Sequence, residues 1–492
     1  MARHALLSCY SKQDVPALAR GLHDLGWVLH ASGGTAGCIT ELGIPVSPTE
    51  EITGISSMLG GRVKTLHPAL HAGILAAGED RARMEAGGGI VFDLVAVDFY
   101  PFSSRSGIPG DDPSAVELID VGGPAMARAA AKNYVHVISA AGGDCFGEVL
   151  EAIAGKRDDV VFRRAMASRT FDAAASYDLA VSLKLAEGIE PGLRYGENPH
   201  QAAWVHFGAR REGFSAASLL HGDALSYNNY LDASAAWNLV SDLPEKALVV
   251  VKHGNPCIAA RAGDLATAWE RAFAADSDSP YGGVLAVNST VDTALVDRLK
   301  GLFLELVLAP GFEQGALDRL RTRKKLRVLG MPPGRETGLQ IRSIWGALLV
   351  QEPDPGAAGD LSSAVQAGSR PPSAGEAEAM DLAWRICRTV KSNAMVVCGP
   401  DAALGIGAGQ MSRIESLDLA IRRAAAAGLD VRGAALASDG LIPFRDTVDK
   451  AASAGITAIV QPGGSLRDEE VFRAADEAGI TMLLTGRRHF RH

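Results

Sequence analysis

The chain is poor in the features that mark several protein classes. Its six cysteines (Cys9, Cys38, Cys145, Cys257, Cys387 and Cys398) are scattered with no C-x-x-C pair. That excludes a disulfide framework and a zinc knuckle and fits a reducing compartment. No uninterrupted apolar stretch approaches the length needed to span a bilayer, and MARHALLSCYSK lacks the apolar core of a signal peptide. The expectation is a cytoplasmic protein. Basic residues are outnumbered, 48 Lys+Arg against 57 Asp+Glu for a net charge of −9, so the chain as a whole repels nucleic acid and anionic membranes. Any anionic ligand must be held by local clusters of basic groups.

What is present reads as an ordinary globular protein: 492 residues, 47% hydrophobic and 21% charged, long enough for about three domains. HALLSC reads as a strand, Ser11 as an N-cap, and Lys12 to Asp24 as an amphipathic helix ending at Gly26. WVLHA, FDLVAVDFYPF (92–102) and YVHVISA (134–140) read as further strands. Strands alternating with helices imply a parallel sheet covered on both faces. The stretch from about 148 to 187 reads helical, EGIEPG (187–192) breaks it, and the α/β pattern then resumes. The domains are therefore placed at 1–187 and 188–492. QEPDPGAAGD and QAGSRPPSAGE, between 351 and 376, are linker-like, and RTRKKLR (321–327) reads as a solvated face or strand edge. Two faint echoes, VVVKHGN with RTVKSN and GVLAVNSTVDTA with GLIPFRDTVDKA, suggest a duplication inside the second half.

Candidate chemistry sits where strands end, since open α/β sheets bind ligands beyond the C-terminal strand ends. Ser32, Gly33, Gly34 and Thr35 lie between a strand and a helix start, where backbone amides can wrap an anion. GGRVKTLHPALHAGIL packs Arg62, Lys64, Thr65, His67 and His71 into ten residues. Pro68 and the lack of a carboxylate argue against a metal there, and basic residues beside hydroxyls suit phosphate. Tyr100 ends an apolar run, Asp120 precedes a double glycine, and Lys132 closes the following helix. In the second half, GLRYGENPHQAA crowds Arg194, Tyr195, Asn198 and His200 into a turn, and Asn228 and Asn229 precede an amphipathic helix. ALVVVKHGNPC carries Lys252 and His253 to the end of an apolar strand halted by Gly254-Asn255-Pro256, so that both can line one pocket. Zinc deaminases pair H-x-E with P-C-x-x-C, but Pro256-Cys257 has no second cysteine, and no zinc is expected.

Taken together, SGGT, GGRVKTLHP, FYPF, IDVGG, AAAKN, LRYGENPHQ, KHGNPC, KSNAMV, GIGAGQMSR, SDGLIPFRD and the terminal RRHFRH resemble the bifunctional AICAR transformylase/IMP cyclohydrolase family of late purine synthesis. The resemblance runs nearly end to end. It implies an α/β protein: a methylglyoxal-synthase-like parallel-sheet domain, then a duplicated cytidine-deaminase-like transformylase region without zinc. It further implies formyl transfer from 10-formyltetrahydrofolate to AICAR, then dehydrative closure of FAICAR to IMP. Ser8, Lys12, Ser32, Gly33, Gly34, Thr35, Arg62 and Thr65 would hold the cyclohydrolase nucleotide, with Lys64, Tyr100, Asp120 and Lys132 as its catalytic group. His253 would be the transformylase base, Lys252 would stabilise developing charge, and Asn393 would orient the formyl group. Arg194, Tyr195, His200, Asn229, Arg413 and Arg488 would bind the nucleotide, with Phe444 and Asp446 in the folate site. A homodimer is implied, and a bound monovalent cation is compatible with the resemblance. One departure stands out: family chains open near S-V-S-D-K, whereas this one reads Ser8-Cys9-Tyr10-Ser11-Lys12, which brings the bulk of Tyr10 to a phosphate-binding loop. Two rivals remain: a chain with only the transformylase active, and a non-catalytic nucleotide-binding descendant.

Overall fold

The computed structural model describes residues 2–56, 58–100, 102, 112–186, 192–207, 212–244, 246–345 and 347–492. The chain forms two compact units, Met1–Pro191 and Gly192–His492. Most of the EGIEPG break expected from the sequence, 187–191, lies outside the described residues, as does Pro101 of FYPF.

The first unit is built on a parallel sheet of β1 (His4–Cys9), β2 (Val28–Ala31), β3 (Ser47–Pro48), β4 (Leu94–Asp98) and β5 (Ile138–Ala141), in the order β3-β2-β1-β4-β5. Side chains alternate across a strand, so Ala5 and Leu7 enter one core with Leu29 and Ile138, while Leu6 enters the other with Val95, Val97 and Phe92. Both faces are covered, which is why these strands are apolar throughout. The covering helices include α1 (Val15–Asp24), α2 (Gly33–Glu41), α3 (Pro68–Leu75), α4 (Gly122–Lys132) and the long α5 (Val160–Ala186). Helix α1 starts at Val15 with Asp14 at its N-cap position, three residues later than the sequence pattern suggests, because Pro16 sits naturally in a first turn.

The second unit repeats one topology. Its first half contains β6 (Ser218–His221), α6 (Tyr227–Val240), β7 (Lys246–Lys252), β8 (Asn255–Ala262), α7 (Leu265–Ala275), β9 (Gly283–Val287), α8 (Thr293–Arg298), β10 (Leu304–Ala309), α9 (Gln314–Arg321) and β11 (Arg327–Gly330). A hairpin, β12 (Gln340–Ile344) and β13 (Ala347–Gln351), follows. The second half has β14 (Val365–Ala367), α10 (Ala374–Cys387), β15 (Met395–Cys398), β16 (Ala403–Gly407), α11 (Arg413–Ala426), β17 (Ala435–Ser438), α12 (Arg445–Ser453), β18 (Ala458–Gln461), α13 (Asp468–Glu477) and β19 (Thr481–Leu484). The sheets run β8-β7-β9-β10-β11-β6 and β16-β15-β17-β18-β19-β14, with the same parallel and antiparallel pairings at each step. Helices α6 and α10 share one core with both sheets, through residues such as Trp237, Val249, Val251, Trp384, Val396 and Ala437.

The two halves therefore share one topology, but the two lysine motifs do not correspond: Lys252 ends β7, whereas Lys391 precedes β15. The linker-like 351–376 also proves structured. It carries edge strand β14 and the capping box of Ser373 and Glu376 that starts α10. Among the described residues, no helix is long and apolar enough to cross a membrane.

Candidate active sites

In the first unit the ends of β1 and β2 bring Ser8 and Ser32 together, Oγ to Oγ 2.8 Å. Helix α2 starts at Gly33, whose φ of +37° and lack of a side chain leave room for Lys64: a Cβ there would overlap its Nζ. Lys12 lies on the other side, donating to the Cys9 and Tyr10 carbonyls and, at 3.3 Å, to Thr35 Oγ1. Two ammoniums thus bracket the N-terminus of a nine-residue helix, an arrangement that favours a bound anion. Burial lowers the Lys64 pKa, Glu50 opposes that shift, and repulsion from Lys12 adds to it. An arriving phosphate would relieve that repulsion. Cys9 is buried and its thiol is pushed up to about 12, mainly by burial, so it is chemically quiet.

Thr65 leads from this cluster to the next, because a Cβ on Gly122 would overlap its hydroxyl. There Asp120 accepts from the Gly123 N–H at 2.9 Å, and its own N–H is 2.6 Å from the Tyr177 hydroxyl. Burial raises the Asp120 carboxyl above the usual range; hydrogen bonds from the Gly123 and Tyr100 backbone offset part of this, and Asp98 adds to it. The Tyr100 ring packs edge-on against Tyr10, with centroids 5.2 Å apart. The bulk of Tyr10 thus becomes part of the wall beside Tyr100, while Ser8 keeps its place against Ser32.

Two expected members have other neighbours. Arg62 is exposed and paired with Glu117. Lys132 closes α4, ten residues from Gly122, or about 15 Å along the axis; it lines a separate groove of about 670 Å³ with Arg128, Arg164 and Phe171. His67 caps α3, its Nδ1 accepting from the Ala69 N–H, and among the described residues no group of three or more His, Cys, Asp or Glu is placed to hold a metal ion.

In the second unit the apolar strand β7 is not simply halted. Lys252 pairs with Asn255 across a two-residue turn, and His253 and Gly254 both have positive φ, 55° and 74°. This is the pattern of a type I′ hairpin turn, and Pro256 belongs to the returning strand. The imidazole of His253 is exposed and that of no core residue. Lys252 is half-buried, its Nζ donating to the Tyr281 carbonyl at 2.9 Å. The KSN loop meets this turn, since the Lys391 N–H donates to Asn255 Oδ1 at 2.9 Å. Asn393 donates from Nδ2 to the Gln410 and Met411 carbonyls, each at 3.0 Å. Its donors are engaged, so toward a substrate it presents an acceptor, not the donor that a formyl oxygen would need.

The remaining candidates divide. Arg413 and Arg488 flank the Phe490 ring, 5.7 and 4.7 Å from its centroid, and Arg413 also meets the buried Asp439. Arg194 lies over Tyr195, and the Asn228 side chain ties that turn to the start of α6 by donating to the Glu197 carbonyl. Asn229 is buried in the capping box of α6 and donates to Glu305. Phe444 starts α12 beneath the Arg467 guanidinium, and Asp446 accepts from the Thr447 N–H. His200 is exposed in the turn.

Sequence reasoning missed the carboxylates and the terminal residues that hold these groups. Asp232 accepts from the His253 and Gly254 N–H groups. Arg491 donates to the Gly254 and Thr389 carbonyls, and Ser392 binds Asp439. Asp232 stands three positions after Asn229, on the same side of a helix, a local signal that could have found it.

A parallel α/β unit with an anion cradle, followed by a twice-repeated mixed sheet with a Lys–His hairpin, defines a two-site enzyme class. The family model described as "AICARFT/IMPCHase bienzyme" matches residues 130–423, and one described as "MGS-like domain" matches residues 14–125. Proteins named "Bifunctional purine biosynthesis protein PurH" are similar along their whole length. That of Chloroflexus aurantiacus is 43% identical, covering 99% of this chain and 98% of its own. Those of Sinorhizobium medicae and Sorangium cellulosum are 42% and 41% identical, covering 99% and 100% of this chain and 97% and 100% of theirs. The chain belongs to the AICARFT/IMPCHase bienzyme family.

Proposed function

We propose that this chain carries out both reactions of its family: transfer of a formyl group from 10-formyltetrahydrofolate to AICAR, and closure of FAICAR to IMP. The observation that supports this best is the exposed His253 imidazole, next to Lys252 on a turn braced from both sides. The AICAR amine is a weak nucleophile, its lone pair delocalised into ring and carboxamide. As it attacks the formyl carbon, His253 accepts its proton, Lys252 stabilises the developing oxyanion, and the Asn393 carbonyl aligns the amine N–H. Tetrahydrofolate leaves once its N10 is protonated. Arg413 and Arg488 supply positive charge for the nucleotide, with Arg194, Tyr195 and His200 as its further contacts and Phe444 and Asp446 for the folate.

For ring closure, Lys12, Lys64 and the start of α2, with Ser8, Ser32 and Thr35, hold the phosphate. Asp120, whose raised pKa makes it a better base, takes the carboxamide proton as nitrogen attacks the formyl carbon; Tyr100 steadies the oxyanion before water leaves. Holding both groups of one substrate in attack geometry supplies much of the acceleration. The proposal includes a cytoplasmic homodimer. Its support is the hairpin β12–β13, which exposes Ile341, Trp345, Leu348, Leu349 and Val350 to solvent and has no cover of its own.

The test follows tetrahydrofolate and IMP separately from AICAR and 10-formyltetrahydrofolate, and IMP from FAICAR alone. His253→Ala is expected to abolish formyl transfer and leave FAICAR closure intact. Failure of the wild-type protein to close FAICAR would remove the cyclohydrolase, and equal loss of both activities in the variant would remove the two-site reading.

A further inference from the structure

We propose that Asp232 is a positioning residue for formyl transfer, holding the His253 imidazole in its reactive attitude through the backbone. This rests on the reading of His253 as the base. His253 is one of three non-glycine residues with positive φ among those described, a conformation that side-chain-bearing residues rarely hold without outside support. Two successive positive φ values turn neighbouring N–H groups towards one point, making a small anion-binding concavity. The Asp232 carboxylate fills it, with Oδ2 accepting from the His253 N–H at 3.3 Å and Oδ1 from the Gly254 N–H at 2.6 Å.

The carboxylate comes from a rigid place. Asp232 stands in the second turn of α6, whose start is fixed by the reciprocal capping of Ser226 and Asn229. On the opposite side of the turn, Arg491 donates to the Gly254 carbonyl at 2.5 Å. The backbone polar groups of the turn are thus gripped from both sides, and the imidazole is left exposed. Without the carboxylate the turn relaxes toward negative φ, which swings the side chain away from the amine it must deprotonate. A misplacement of about 1 Å at a reacting group can cost about 100-fold in rate.

Asp232→Ala is therefore expected to lower the transformylase kcat by about 10- to 100-fold while the KM for AICAR stays within about threefold and FAICAR closure is unchanged. Asp232→Asn, nearly isosteric, keeps one acceptor and sets a donor against an N–H; it is expected to lose kcat by a smaller factor and serves if the alanine variant fails to fold. A normal kcat in both Asp232 variants, or a loss confined to KM, would overturn the inference while leaving His253 as base. Full formyl transfer by His253→Ala alone would overturn that reading and the inference with it.

Discussion

His30 shows how one residue ties the stability of the first unit to its candidate site. It lies on β2, two positions before Ser32, and is buried; Nε2 meets His4 Nδ1 at 2.9 Å and Nδ1 has no partner. Burial, reinforced by repulsion from His4, lowers its pKa from 6.5 to about 4. The folded state therefore favours the neutral ring. Its contribution is complete above the unfolded value of 6.5 and is lost as pH falls from there toward 4, up to about 3 kcal/mol in all. The melting temperature of the first unit is expected to decline across that window, and the slope to flatten in His30→Phe, as read by thermal unfolding at a series of pH values. An unchanged slope in the variant would assign the acid sensitivity elsewhere.

At the scale of elements, what the sequence made legible was the local part of the fold. The alternation in HALLSC and FDLVAVD placed strands, and the glycines of SGGT placed a helix start. Reading KHGNPC as a halted strand failed because a two-residue hairpin turn with His in the left-handed region has no common sequence signal. Lys132 and Asp120 stand at opposite ends of helix α4, a separation that the sequence motifs alone do not display. Least legible were partners far apart in sequence. His489 is buried between Asp354 and Asp360, 2.6 and 2.9 Å from its two ring nitrogens, across 135 and 129 residues that no local pattern can bridge. Burial alone would lower its pKa, but the two carboxylates outweigh burial and raise it. Arg487 also reaches Asp360, and Arg388 faces Asp354. A raised folded pKa means that this pin is fully effective below about pH 6.5 and is lost as pH rises through the folded value. Because the same terminal segment carries Arg488, Phe490 and Arg491, formyl transfer is expected to fall on the alkaline side without a matching step in FAICAR closure. His489→Ala should lower formyl transfer at every pH and destabilise the second unit by about 1.5–3 kcal/mol, since it removes charge-assisted hydrogen bonds from Asp354 and the buried Asp360 while Arg388 and Arg487 remain beside them. Parallel alkaline profiles for the two activities would count against the pin.

For the whole molecule, the repeated sheet explains why the second unit needs so much chain for one reaction. In the proposed transformylase site each half supplies one part, the KHGN turn from the first and the KSN loop from the second, joined by Lys391 and Asn255. The hairpin between the halves has no such internal task. Among the described residues its strands pair only with each other, in the register Ile341 to Val350 and Arg342 to Leu349, and an isolated two-stranded hairpin is marginal in water. Ile341 is 64% and Trp345 fully exposed, so the apolar surface calls for a cover, and a second copy of the chain is the occupant proposed here. Arg342 donates to the His492 carbonyl at 2.9 Å, so whatever seats on the hairpin also bears on the terminal segment beside the transformylase residues. Ile341→Lys combined with Leu349→Lys is therefore expected to give a monomer in sedimentation, with formyl transfer reduced and FAICAR closure retained. A double variant that still sediments as a dimer would move the interface to another face, and a fully active monomer would separate assembly from catalysis.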